Sequence, residues 1–141
     1  RMGDPECQVI LPRLKSDLIK IIKNSVKNKL KNTNISWKKE KSMTIVLCSK
    51  GYPGDYKKGI LLNNLYKTKL LKKDYIYHAG TKFYHNQLIS NGGRVLNITS
   101  IGKNFLKIRK RILSIIKKLN FKNVFFRRDI GWKVINDNAN N

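Results

Sequence analysis

The chain has 141 residues, a mass of 16.4 kDa and 40% hydrophobic content, enough for one ordinary domain, or one domain plus a piece of another, around a real core. No apolar stretch approaches the roughly 20 residues that span a bilayer and the N-terminus lacks a charged-then-apolar signal pattern, so a soluble, unexported chain is expected. The net charge of +23 comes from 24 Lys and 7 Arg spread through nearly every segment, beside abundant Asn and Ile whose codons are also rich in A and T; with no RNA-recognition, KH or zinc-finger signature, scattered solvated lysines account for it better than a dedicated nucleic-acid face.

In chain order, the first stretch is R-M-G-D-P-E-C-Q, from Arg1 to Gln8, which packs an arginine, a glycine, two carboxylates and a turn proline ahead of any apolar run. That density is typical of an active-site loop. The same letters also read as a helix start, with Asp4 capping, Pro5 at the first helical position and Glu6 favourable to the helix dipole. Ser16 is placed to cap a second helix, with Asp17 in its first turn. Leu18, Ile22, Val26 and Leu30 then recur at helical spacing between lysines, predicting an amphipathic helix over 16–30. The polar, aperiodic K-N-T-N-I-S-W-K-K-E-K-S that follows is the best linker, with a boundary near residue 35.

From Met43 the texture changes to short apolar and β-branched runs punctuated by Gly, Asn and Pro. Strands are predicted at 43–49, 59–62, 74–84 with a break near Gly80, 87–90, 94–101 and 124–127. Asn86 and Asn91-Gly92-Gly93 supply tight turns and imply hairpins. Phe105, Ile108, Ile112, Ile115 and Leu119 repeat at helical spacing, so one amphipathic helix covers one face of a mostly antiparallel sheet, an α+β arrangement. The Asn-rich end, 136–141, is expected to fray. Cys7 and Cys48 lie far apart without CxxC or Cys/His spacing, which predicts free thiols in a reducing compartment rather than a disulfide or a zinc site.

Six stretches, R-M-G-D-P-E-C-Q with the following L-P-R-L-K-S-D-L, S-K-G-Y-P-G-D-Y-K-K-G, H-A-G-T, N-G-G-R-V-L and R-R-D-I-G-W, together resemble the C-terminal part of the phosphoribosylamine glycine ligase (glycinamide ribonucleotide synthetase) family, in order and spacing across nearly the whole chain. The resemblance implies that residues 1–35 are the tail of an ATP-grasp domain and 36–141 a small, mostly antiparallel β-rich domain with one covering helix. It implies an ATP-dependent carbon–nitrogen ligase of purine biosynthesis, joining glycine to 5-phosphoribosylamine through a glycyl phosphate. ATP and magnesium would be bound mainly upstream, where a Glu-x-Asn pair, the catalytic lysines and the adenine pocket lie, so this piece alone would be inactive. A monomeric cytoplasmic enzyme with no specific nucleic acid or membrane partner is expected. A basic nucleic-acid-binding domain and a non-catalytic interaction domain are the competing classes.

Within that family Arg1 and Asp4 are the expected catalytic residues, and Arg1, Gly3 and Asp4 the expected substrate contacts. A guanidinium at Arg1 grips phosphate or carboxylate in two-point fashion, Gly3 lets the backbone approach a substrate, and Asp4 holds the ribosylamine or glycine amine. No cofactor or metal ligand is expected here. Gly51-Tyr52-Pro53-Gly54 reads as a plain turn or as a loop that helps close the site. His78 and His85 read as packed or exposed side chains rather than ligands. Arg94 is free to meet a phosphate or to pair with Asp129. Arg127, Arg128 and Asp129 read as an ion-pair cluster, and Trp132 as a residue packing the terminus against the sheet or a neighbouring domain.

Overall fold

A computed structural model of the chain describes residues 2–137. Its central feature is a four-stranded sheet formed by β1 (Lys41–Ser49), β2 (Asp74–His78), β5 (Arg94–Gly102) and β6 (Val124–Phe125), in the order β2-β5-β1-β6 with every pair antiparallel. A separate ribbon pairs β3 (Thr81–Tyr84) with β4 (Gln87–Ser90). The helices are α1 (Glu6–Ile10), α2 (Leu18–Val26), α3 (Phe105–Leu119) and α4 (Trp132–Asp137). Mixed helix and antiparallel sheet are as the sequence predicts.

The core follows from the two periodicities. Alternate residues of β1, Met43, Ile45 and Leu47, share one face with Leu96 and Ile98 of β5, and Ile108, Ile112, Ile115 and Leu119 of α3 pack onto them. Full burial of each such side chain contributes about 1.5–3 kcal/mol. Asn104 caps α3 by accepting a hydrogen bond from the Lys107 amide at 3.0 Å, and Asn120 closes it in the left-handed conformation at φ 46°. A buried carboxylate, Asp74, ties the layers together: it accepts from Ser100 Oγ at 2.7 Å and lies 2.7 Å from Arg111 Nε of α3.

The opposite face of the sheet carries Thr44, Val46 and Cys48, and α1 rests against β1 and β5 there. Strict alternation breaks at one point: Leu47 pairs with Leu96 but Cys48 pairs with Arg94, so Val95 is an extra residue in β5. Such a bulge turns the next side chain to the other face. Arg94 therefore shares the face of Cys48 and α1, whereas an unbroken strand would aim it with Leu96 into the core.

Several local expectations are corrected. The second helix is shorter than 16–30, because Asn28 adopts φ 55° and ends it, and Asp17 rather than Ser16 is the cap, accepting from the Lys20 amide at 3.0 Å. The strand expected at 59–62 reduces to a single bridge between Leu61 and Ile89, since Gly59 turns at φ 82° and a 3₁₀ turn follows at Asn63. The turn at His85 and Asn86, both at positive φ, joins β3 to β4 as a hairpin. Asn91-Gly92-Gly93 does not, since β4 and β5 lie in different sheets. The end of the chain is helical to residue 137 rather than frayed from 136, and 138–141 lie outside the described residues.

Candidate functional site

The opening loop turns into α1 through the Cys7 amide, which donates to the Gly3 carbonyl at 3.0 Å. The residue in the cap position is Pro5, and no side chain caps the helix, so Asp4 does not play the capping role that its place in the sequence allows. Its carboxylate is used elsewhere. Oδ1 accepts from Gln8 Nε2 at 2.7 Å, the four-residue spacing that neighbours share on a helical turn. Arg94 Nη1 donates to the Asp4 carbonyl at 2.7 Å and stands 3.4 Å from Oδ2. Asp4 keeps 43% side-chain exposure, so the carboxylate is gripped from two sides and open on the rest. The space that a Cβ on Gly3 would need is filled by the Glu6 carboxyl group, 2.4 Å away, so Gly3 lets Glu6 fold back over the loop. Arg1 lies outside the described residues.

Three other motif stretches reach this loop, N-G-G-R through Arg94 and the 51–54 and R-R-D-I stretches through a cavity shared with Pro5, while H-A-G-T packs behind N-G-G-R. The N-G-G-R stretch is pinned by backbone: Ser49 N donates to the Gly93 carbonyl at 2.8 Å, Ser49 Oγ to that of Gly92 at 3.0 Å, and Gly80 N to that of Arg94 at 2.8 Å. Gly80, from H-A-G-T, faces Gly92 so closely that a Cβ on it would sit 2.6 Å from the Gly92 Cα and 2.7 Å from the Arg94 carbonyl. Tyr52, from the Gly51-Tyr52-Pro53-Gly54 turn, lays its ring against Gly93, where a Cβ would fall 2.0 Å from Cδ2. Gly51 itself turns at φ 103°, a conformation that favours glycine. Tyr52 and Pro53 then line a cavity of about 310 Å³ with Pro5, Cys48, Phe125, Arg127 and Ile130. The 51–54 turn is thus both a strand connection and a wall beside the Asp4 loop.

Electrostatics around the cavity are set by neighbours. Burial pushes the Cys48 thiol above its ordinary 9.0, with Arg94 pulling it back in part. Arg127 grips Asp129 two-point, Nη2 to Oδ2 at 2.6 Å and Nε to Oδ1 at 3.2 Å, and that bond holds the Asp129 carboxyl below its ordinary 3.8. The expected pairing of Arg94 with Asp129 therefore does not form; each has another partner. Arg109 Nε donates to the Ile130 carbonyl at 3.1 Å and its Nη2 to that of Arg128, anchoring the R-R-D-I stretch to α3. Trp132 is 51% exposed, with Lys133 Nζ 5.7 Å from its ring centre, so it does not pack the terminus onto the sheet.

His78 is exposed, with Nδ1 2.9 Å from Thr81 Oγ1, and His85 sets its ring edge against Tyr84. Among the described residues no three His, Cys, Asp or Glu gather as a metal site. Likewise no described helix is long and apolar enough to cross a membrane. Another concavity, of about 660 Å³, lies elsewhere, rimmed by Lys67, Lys69, Lys117 and Lys118 beside Asn64 and Asn120. It contains none of the motif residues and is a strongly basic rim that also includes Thr68.

The arrangement meets its match among known proteins. The chain is 39% identical over 130 residues to the phosphoribosylamine–glycine ligase of Caldanaerobacter subterraneus, covering 92% of this chain and 30% of that protein. It is 39% identical to the chloroplastic phosphoribosylamine–glycine ligase of Arabidopsis thaliana over 96% of this chain and 26% of that protein. The solved phosphoribosylamine–glycine ligase from Thermotoga maritima superposes with a TM-score of 0.68 at 26% identity, covering 92% of this chain and 31% of its own. The chain thus spans about a third or less of the length of these relatives. Residues 42–133 match the model of the phosphoribosylglycinamide synthetase C domain. That match takes in β1 through most of the chain's remaining elements, and by it the chain belongs to the phosphoribosylglycinamide synthetase C-domain family.

Proposed function

We propose that the chain is the C-terminal portion of an ATP-dependent ligase that joins glycine to 5-phosphoribosylamine through a glycyl phosphate; the relatives that it resembles along 92–96% of its length are named phosphoribosylamine–glycine ligases. The observation that carries the reading is a half-exposed carboxylate, Asp4, held by Gln8 and Arg94 beside a cavity whose lining, Pro5, Tyr52, Pro53, Arg127 and Ile130, comes from three of the motif stretches. A carboxylate offers about four acceptor positions. Gln8 and Arg94 occupy two sides of Asp4, and the open side takes an N–H of the attacking amine and accepts its proton as the carbon–nitrogen bond forms. Gly3 contributes by leaving room for Glu6 to fold back, and Arg1, two residues before it, is the donor assigned to the acyl phosphate. ATP and magnesium belong, in this reading, to the part of the enzyme outside this chain, as do the residues that activate glycine. Residues 1–35 form the tail of the ATP-grasp domain and 36–141 the β-rich domain.

The test is turnover by the full-length enzyme carrying this chain. Glycinamide ribonucleotide should appear only when ATP, magnesium, glycine and phosphoribosylamine are all present, and the 141-residue chain alone should make none. Lack of product from the folded full-length enzyme, or product from the short chain, would overturn the proposal.

A further inference from the structure

We infer that Arg94 is a positioning residue for Asp4, aimed across the sheet by the bulge at Val95, and that it acts on turnover through Asp4 rather than by touching substrate. This rests on the ligase reading above. The bulge is the first observation. Because Cys48 pairs with Arg94 while Leu47 pairs with Leu96, the Arg94 side chain emerges on the face that bears α1 instead of entering the core. The second is how firmly its root is held. The carbonyls of Gly92, Gly93 and Arg94 each accept a hydrogen bond from Ser49 or Gly80, and Gly80 and Gly92 meet backbone to backbone. The third is the contact itself. One nitrogen, Nη1, serves both the Asp4 carbonyl at 2.7 Å and the Asp4 carboxylate at 3.4 Å, joining residues 90 positions apart. A carbonyl contact fixes the backbone of the loop, and with it the direction in which the carboxylate points. Misplacing a reacting group by about 1 Å costs on the order of 100-fold in rate.

The inference separates Arg94 from a substrate-binding arginine in kinetics. In the full-length enzyme Arg94→Ala should lower kcat about 100-fold, leaving KM for phosphoribosylamine, glycine and ATP within about threefold. Since both contacts come from a single nitrogen, a lysine ammonium that reaches the loop offers the same two, and Arg94→Lys should recover a good part of the rate. Hydrogen exchange of the amides at 3–8 should quicken in Arg94→Ala and fall back toward wild type in Arg94→Lys, whether or not the enzyme is turning over. A melting temperature within about 5 °C of wild type shows that the variants are folded. Unchanged kcat, or unchanged exchange at 3–8, would overturn the inference. So would a rise in KM for phosphoribosylamine at constant kcat, which would make Arg94 a substrate ligand. If wild-type enzyme makes no product, the ligase reading falls, while the exchange comparison still decides whether Arg94 holds the loop.

Discussion

Replacing Asp4 by asparagine separates what this carboxylate does for the fold from what it does for the reaction. Asparagine keeps an Oδ1 that accepts from Gln8, and it leaves the Asp4 carbonyl free to take the Arg94 hydrogen bond. What it removes is the charge facing Arg94 at 3.4 Å, between side chains that are 43% and 39% exposed. An ion pair so open to solvent contributes about 0.2–1 kcal/mol. Melting of the full-length enzyme should therefore drop by about 3 °C or less. If the open side of Asp4 holds the amine and takes its proton, the loss falls on the transition state instead. Removing one preorganised group of that kind lowers kcat by about 100- to 1000-fold, or about 3–4 kcal/mol. Thermal unfolding and steady-state kinetics on one preparation measure both. A kcat/KM close to wild type would remove Asp4 from the chemistry, and a stability loss above about 2 kcal/mol would refute the claim that its ion pair is solvent-screened.

Three further outcomes follow from the structure. Gly80→Ala places a Cβ 2.6–2.8 Å from backbone atoms of Gly92 and Arg94, none of which is a flexible side-chain end, so overpacking and loosened turn bonds should cost about 2–4 kcal/mol in urea unfolding; an unchanged midpoint contradicts the close approach. Arg111→Ala strips the guanidinium from Asp74, whose side chain is 1% exposed, and should cost about 3–5 kcal/mol, with the double variant Asp74→Ala/Arg111→Ala losing less than the sum of the singles; strict additivity denies the coupling. Because burial raises the Cys48 thiol above its ordinary 9.0, the reactive thiolate is scarce at neutral pH, and alkylation of Cys48 at pH 8 should be slower than in the urea-unfolded chain, rising with pH; equal rates at pH 8 would contradict the burial.

What could be read from the sequence divides along physical lines. Helix α3 is complete in its letters because four buried residues recur with one period over 15 residues and Asn stands at each end. Strand β4 and the interruption at Gly80 are equally plain, since the hairpin turn needs residues that tolerate positive φ and Asn86 is one. The short elements are different. Helix α1 spans five residues, too few for periodicity to register, and α4 hides in a stretch whose composition suggests an unstructured end. Run 59–62 has the composition of a strand, but its glycine turns the chain away after one bridge. For the site, Asp4 is conspicuous and its partner is not. Alternation puts Arg94 on the core face, and only the extra residue at Val95 reverses that, an event invisible in a pattern of alternating letters. Asp129, the other partner considered for Arg94, is held by Arg127 two residues before it, as the R-R-D ion-pair cluster predicts.

The glycines explain how three connections close on one another at the root of Arg94. Gly80 and Gly92 meet without side chains between them, and Gly93 accepts the Tyr52 ring directly, so three connections occupy space that any Cβ would deny. The sheet then needs only one long side chain to bridge the remaining distance, and Arg94 provides it. A short loop carrying a carboxylate has little of its own to fix its direction: α1 has no side-chain cap and buries no residue completely. Its orientation is therefore taken from the sheet, against which α1 rests and to which Arg94 ties the Asp4 carbonyl. In the proposed reaction the sheet would act from behind, through the direction that Arg94 gives to the Asp4 carboxylate.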